Sequence, residues 1–385
     1  MKKIIDFIAD EFLLCLFVIL LVILSCFEPD KIRQYPFFVD WNTIAALTGL
    51  LIITTGFKQS GYFDLFAKRM LSRLKTERKI AFFLILFSAI LSCFVTNDIA
   101  LFIVVPLTLS LRKLTGNDVS KIVIFEAIAV NAGSALTPIG NPQNLYLWHR
   151  WNISFFSFIA FLFPAVICLL LILFFFVFVA FPNTKITNVF VNSSNKSKDD
   201  KKDIAKADDN INVRKTLFSV SFVALIVYVI SLELDFANLL LPVICIFYLF
   251  FYRRILLNVD WLLLFMFIIM FIDFHLIANI PFVNMAIEQI NMQSSRDVFL
   301  FSGAISQLIS NVPASIFVSK FSDNWLAIAY GVNVGGNGIV IASLANVIAL
   351  RMLKNKKAWL TFHKYSIPYF LITIILTYCI IRLFF

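Results

Sequence analysis

Charge is scarce in this chain: Asp, Glu, Lys and Arg together make up 15% of its 385 residues, against about 25% in an ordinary soluble domain. Its six cysteines (Cys15, Cys26, Cys93, Cys168, Cys245, Cys379) never fall at a C-x-x-C spacing, which gives no basis for a zinc site or a disulfide framework. There is no H-E-x-x-H, no nucleophile elbow and no cluster of Cys and His. The usual hydrolytic and metal-dependent enzymes lack their machinery here, and the chain reads as a non-enzyme.

What is present is hydrocarbon. Hydrophobic residues account for 61% of the sequence and the mean hydropathy is +0.90, so a soluble fold would expose too much apolar surface to stay dispersed. Apolar runs approach the roughly 20 residues that cross a bilayer as a helix. The run after Lys2 and Lys3 resembles a secretory signal, but Ser25-Cys26-Phe27-Glu28-Pro29 lacks a small-residue cleavage site, so it is read as a retained span. The net charge of +10 does not indicate nucleic acid. The basic residues sit in connectors between apolar runs, where they set membrane orientation.

Continuous spans are predicted at 11–27, 41–57, 155–181, 215–232, 236–251, 260–280 and 365–385. Four more apolar stretches carry polar interruptions: 80–112 at Thr96-Asn97-Asp98, 119–150 at Gly133 to Pro142, 298–321 at Ser310-Asn311, and 326–350 at Asn333 to Asn337. If 80–112 and 298–321 are re-entrant hairpins and the other two are broken helices that cross, an N-terminus in the cytoplasm leaves six of the 33 Lys and Arg outside (Lys31, Arg33, Arg150, Arg296, Lys320, Arg382). That bias supports nine crossings plus two hairpins. The expectation is an all-α polytopic protein of the inner (cytoplasmic) membrane, with its C-terminus on the outer side. Residues 1–182 form a first membrane repeat, 183–214 a polar cytoplasmic linker with the composition of disorder, and 215–385 a second repeat with one extra leading helix. Residues 61–75 suggest an amphipathic helix along the cytoplasmic surface.

Three matches recur in order in the two halves. Val39-Asp40-Trp41 pairs with Val259-Asp260-Trp261, and Ser88, Ser92 and Asn97 pair with Ser302, Ser306 and Asn311 at equal spacing. Asn131-x-Gly133, with Asn144 thirteen residues after Asn131, pairs with Asn333-x-Gly335 and Asn346. Five predicted crossings separate the starts of the two units, so they run oppositely through the bilayer. This predicts inverted-topology repeats, each with a re-entrant hairpin and a broken helix, and a site near the midplane where helices are interrupted.

Unpaired backbone groups in hydrocarbon each cost several kcal/mol, so such breaks persist only where they line a protein cavity. Helix resuming after Pro142 exposes amides with partial positive charge, which can hold an anion without a buried cation. The hairpin tips each offer an Asn with carbonyl acceptor and amide donor, preceded by a hydroxyl. The plainer role for these residues is to cap the turns. Substrate contact is assigned to Thr96, Asn97, Ser310, Asn311, Thr137, Asn141 and Asn337, and coupling-ion contact to Asp98, Asn97, Asn131, Gly133, Asn311 and Asn333. Asp98, Glu126, Asp273 and His275 are ionisable residues inside apolar spans, where charge is costly and functional by default. Glu126, Asp273 and His275 are secondary candidates, the last two facing different directions because they are two apart on a helix.

Val95-Thr96-Asn97-Asp98-Ile99-Ala100-Leu101, followed by Asn131-Ala132-Gly133-Ser134 and Thr137-Pro138-Ile139-Gly140-Asn141-Pro142-Gln143-Asn144, resembles the citrate-transporter-like branch of the ion transporter superfamily. That branch includes divalent anion to sodium symporters and arsenite or sodium/proton antiporter-like proteins. The resemblance covers most of the chain outside the linker. It implies a scaffold and a transport domain, Ser/Thr-Asn tips in the site, homodimers and elevator-type alternating access. Dicarboxylate members carry Ser-Asn-Thr at both tips, whereas these read Thr96-Asn97-Asp98 and Ser310-Asn311-Val312, which favours proton coupling through Asp98. The expected function is secondary transport of a small carboxylate or inorganic oxyanion, coupled to sodium or protons. The second reading is sodium/proton antiport carried by Asp98, Glu126 and Asp273. No cofactor beyond bound sodium is expected, and the partners are the bilayer, the anion and the coupling ion.

Overall fold

The computed structural model describes residues 11–71, 73–115, 118–184 and 213–384, leaving aside the side chains of 112–115 and 383–384. Every regular element among them is helical. The first half begins with α1 (Phe12–Phe27), which turns through 118° into a short 3-10 helix (Pro29–Gln34) and α2 (Tyr35–Phe38). It continues through α3 (Trp41–Ser60), α4 (Tyr62–Leu71), α5 (Glu77–Phe94), α6 (Asn97–Thr115), α7 (Ser120–Ser134), α8 (Pro142–Arg150) and α9 (Phe155–Ala180). An additional helix, α10 (Lys215–Glu233), leads into α11 (Ala237–Leu257), α12 (Trp261–Ala278), α13 (Pro281–Ile287), α14 (Ser295–Ile309) and α15 (Asn311–Val318). The chain closes with α16 (Trp325–Gly335), a 3-10 turn (Val340–Ala342), α17 (Leu344–Leu353) and α18 (Lys356–Phe384).

The order of elements recurs, and so does the packing. In the first half α5 lies on α7, and in the second α14 lies on α16. Across the halves, α1 packs on α12 while α11 packs on α3, and α6 packs on α17 while α15 packs on α8. Local chemistry repeats as well: Asp40 accepts from Thr43 N at 3.1 Å to start α3, and Asp260 accepts from Leu263 N at 3.0 Å to start α12. Each is an N-cap worth about 1 kcal/mol.

Five of the described helices (α9 to α12 and α18) are long and apolar enough to cross a membrane, or six if α1 with its bent continuation counts as one span. Their outward faces are apolar: Leu171, Phe175 and Val179 on α9, and Leu239, Phe250 and Phe251 on α11, are each more than 60% exposed. Lipid is the medium that makes such faces favourable. The last helix starts at Lys356 rather than near 365, because Lys356, Lys357 and Lys364 can project from its first turns while Ala358 and Phe362 are buried. On α4, Ala67 and Leu71 are buried and Tyr62 and Phe66 are exposed, the amphipathic face expected of 61–75.

Most of the 183–214 linker lies outside the described residues. Its two ends are anchored: Thr184 O accepts from Glu77 N at 3.1 Å, and Arg214 N donates to Ser60 O at 3.0 Å. The start of α5 therefore meets the first end of the linker, and the end of α3 meets its second end.

Candidate functional site

Two residues, Val95 and Thr96, part α5 from α6, and Ser310 alone parts α14 from α15. The first tip is tied to the first break: Asn97 N donates to Gly140 O at 2.9 Å and Thr137 Oγ1 donates to Cys93 O at 2.7 Å. In the first break Asn144 Nδ2 donates to Ser134 O at 3.3 Å and to Ala135 O and Thr137 O at 3.1 Å; at the second break Gln307 satisfies the freed backbone. Its Nε2 donates to Gly335 O at 2.7 Å and its Oε1 accepts from Ile339 N at 2.9 Å.

Both tips reach one tight cavity of ≈ 20 Å³, lined by Asn97, Asp98, Ser310, Asn311 and Ser343 beneath a wall of Leu13 and Phe17 from α1 and Met266, Phe267 and Met270 from α12. That is room for about one water-sized group. Four helices begin at this cavity: α6 at Asn97, α15 at Asn311, α8 at Pro142 and α17 at Leu344. Their first-turn amides bring partial positive charge to one point, and no Lys or Arg lines it. Thr96 Oγ1 and Asp98 Oδ1 are buried without a hydrogen-bond partner, while Asn97 Oδ1 accepts from Asp98 N at 3.0 Å. A larger vestibule of ≈ 340 Å³, lined by Glu11, Phe102, Asp260 and Arg351 among others, adjoins the cavity and shares Leu13, Met266 and Leu344 with it.

Behind the tips lies a buried amide network that joins the breaks. Asn131 Nδ2 donates to Asn346 Oδ1 at 2.9 Å, and Asn333 Nδ2 donates to Asn144 Oδ1 at 2.7 Å. Each bond therefore links the first limb of one broken helix to the second limb of the other. Asn131 Oδ1 accepts from Ser343 Oγ at 3.0 Å, and Asn141 Nδ2 donates to Asn333 Oδ1 at 3.1 Å. Asn141 Oδ1 also caps α8, accepting from Asn144 N at 2.9 Å. Asn337 donates to Asn333 O at 3.3 Å and leaves its Oδ1 buried without a partner. Gly133 allows α7 to press on α5, since a Cβ there would stand 2.1 Å from Ala89 O.

The cavity thus gathers Asn97, Asp98, Ser310 and Asn311, with Thr96 buried beside it. Thr137, Asn141, Asn131, Gly133, Asn333 and Asn337 form the supporting layer. Glu126 stands apart from the cavity lining, buried and accepting a hydrogen bond from Thr108. Asp273 is fully buried, whereas His275 stacks on Phe38 with centroids 3.8 Å apart and lies 3.4 Å from Lys320 Nζ. Burial, and then Arg150, push Lys320 below the ordinary lysine value. Sequence reasoning missed Ser343, Asn144, Asn346 and Gln307 as site residues. The equal spacing from Asn131 to Asn144 and from Asn333 to Asn346 was the available signal for two of them.

Residues 8–324 match the profile of the family described as citrate transporter. The chain belongs to this family. It is 38% identical over 348 residues to the inner membrane protein YbiR of Escherichia coli, covering 90% of this chain and 88% of that one. It is 33% identical over 351 residues to the uncharacterized transporter MJ0456 of Methanocaldococcus jannaschii, covering 89% and 90%. A shorter stretch of 143 residues is 32% identical to the mouse P protein, covering 35% of this chain and 17% of that protein. The chain is a multi-pass membrane protein of a transporter family.

Proposed function

We propose that this protein carries a small anion, a carboxylate or inorganic oxyanion, across the cytoplasmic membrane by alternating access between two inverted-topology halves. The convergence of four helix N-termini on the cavity between the two Asn tips carries the reading. Amide dipoles can bind negative charge there with no buried cation to neutralise. Asn97 and Asn311 contact the cargo through their amides, with Thr96 and Ser310 adding hydroxyls. Asp98 shares the cavity and would repel a multiply charged anion, so it must be matched by a proton or by sodium when the cargo is bound. The crossed Asn131–Asn346 and Asn333–Asn144 bonds hold the breaks together as one body. The recurring order and packing of elements support the inverted repeat, and the basic connectors support a cytoplasmic N-terminus and linker.

The test is uptake of labelled citrate, succinate and phosphate into proteoliposomes under separate sodium and proton gradients. One of these anions is expected to accumulate, and Asn97→Ala and Asn311→Ala each to abolish its uptake. Sodium exchange for protons with no anion required would replace this reading with antiport. Undiminished uptake in both variants would remove the tips from the mechanism.

A further inference from the structure

Asp273 on α12 is 0% exposed, and neither of its carboxyl oxygens has a hydrogen-bond partner. Among the described residues, the helices packed on α12 bring it no bonded counter-charge. Helix α8, whose Tyr146 packs edge-on against Phe271 at 5.4 Å, carries His149 and Arg150, but the Tyr146 hydroxyl is bonded to Ser319 Oγ at 2.7 Å and Arg150 donates to Ser319 O at 2.8 Å. Apart from cysteines, α1 carries no titratable residue, α13 and α15 carry none, and α2 carries only Tyr35, whose hydroxyl is bonded to Ser25 Oγ at 2.7 Å. On α3 the one charged residue is Lys58 in the last turn, which lies over the Phe102 ring at 4.2 Å. That end of α3 is near Asp260, at the start of α12, roughly 20 Å along the helix from Asp273 at 1.5 Å per residue. The remaining candidate, His275, is on a different face and is engaged by Phe38 and Lys320. The Lys31–Glu28 pair near it is closed on itself at 2.8 Å.

An ionised carboxylate placed like this has neither donor nor cation to compensate its lost hydration. A metal cation would need several further oxygens around it, and neither Asp273 oxygen has a hydrogen-bond partner. A proton needs only the carboxyl itself. Position ties the group to the cavity. Met266, Met270 and Asp273 follow the i, i+4, i+7 spacing of one helix face, and the two methionines line the cavity. The neighbouring Phe274 packs edge-on against Phe17, another cavity-lining residue, and against Phe317 of α15, both with centroids 6.1 Å apart. Asp273 therefore lies in the seam between the wall (α1 and α12) and the second tip.

We propose that Asp273 is a proton-binding site of the transport cycle, carrying its proton as a carboxylic acid while wall and tips are closed and releasing it to water when they part. On release the O–H bond breaks, the electron pair stays on Oδ and the proton passes to water. The site is distinct from Asp98: it belongs to the wall, and it senses the separation of wall from tips rather than the cargo. The inference rests on the alternating access proposed above and on nothing of the identity of the anion.

Two measurements without any anion test it. Infrared spectra of the full chain in liposomes at neutral pH should contain a carbonyl stretch from a protonated carboxyl that disappears in Asp273→Asn and persists in Asp98→Asn and Glu126→Gln. Asp273→Glu should shift that band rather than remove it, which keeps the test decisive if the Asn variant fails to fold. Thiol labelling of Leu344→Cys, at the boundary of cavity and vestibule, read by mass spectrometry at that position and divided by the rate for a free cysteine peptide at the same pH to remove the rise in thiolate, should accelerate several-fold as pH rises. With Asp273→Asn added, this normalised rate should lose its pH dependence. Identical carboxyl bands with and without Asp273, or an unchanged pH dependence of labelling in the Asn variant, would overturn the proposal. An anion carrier lacking this site would show transport with those two negative results, and failure of the anion reading would leave both positive results standing.

Discussion

Ser310 holds the junction of α14 and α15 at φ 76° and ψ 156°, a region that residues with a Cβ rarely occupy and that is essentially reserved for glycine. A serine stays there because its neighbours fix it: its N–H donates to Ser306 O at 3.0 Å, and its carbonyl accepts from Ala314 N at 3.0 Å. Ser310→Gly is expected to raise the midpoint of thermal unfolding in detergent, by the equivalent of about 1 kcal/mol. The same change should lower transport, because it removes a hydroxyl from the cavity. Glycines divide by what surrounds them. A Cβ on Gly133 meets backbone at 2.1 Å, whereas one on Gly303 meets the tip of Ile374 at 3.2 Å and Gly331 O at an ordinary contact distance of 3.5 Å. Gly133→Ala should therefore cost about 1–3 kcal/mol or prevent folding, and Gly303→Ala should leave the melting curve nearly unchanged.

Between elements, the crossed amide bonds decide how rigidly the two breaks move together. A double-mutant cycle on Asn131→Ala and Asn346→Ala, read by thermal unfolding, should give a coupling of about 0.6–1.7 kcal/mol, the range for buried polar pairs in membranes. A cycle on Asn131→Ala and Asn333→Ala should give less, since those two are equivalents and are not bonded to each other. The contrast shows what the sequence could disclose. Self-comparison found Asn131 and Asn333 as counterparts, and Asn144 and Asn346 likewise, because equal spacing is a local property. It could not reveal that each bonds the other's partner, because that pairing is made by folding two distant segments together. The helix interruptions were legible because polar residues stand out in apolar runs. Gln307 was not, since one amide near a helix end has many uses and only the fold shows it satisfying the second break.

For the whole molecule, the charge bias makes a claim about sidedness. Alkaline phosphatase fused after Phe385 is expected to be active, and the same enzyme inserted within 183–214 inactive. The reverse pattern would invert the topology. The bonds from Glu77 to Thr184 and from Arg214 to Ser60 make the start of α5 follow the side of the linker's first end and the end of α3 that of its second. The count of spans was less legible than their chemistry. The span predicted at 41–57 is α3, which falls short of a lipid-crossing composition with Thr54, Thr55 and Gly56 buried inside the protein, because its environment is other helices and not lipid.

The narrowness of the space between wall and tips has a mechanical corollary. A molecule the size of a dicarboxylate fits a space of ≈ 20 Å³ only by driving α1 and α12 away from α6 and α15, like a wedge entering a joint. Part of its attraction to the amide dipoles is then converted into displacement instead of tight retention. Such a carrier trades grip for turnover, and lets its passenger go readily on the far side.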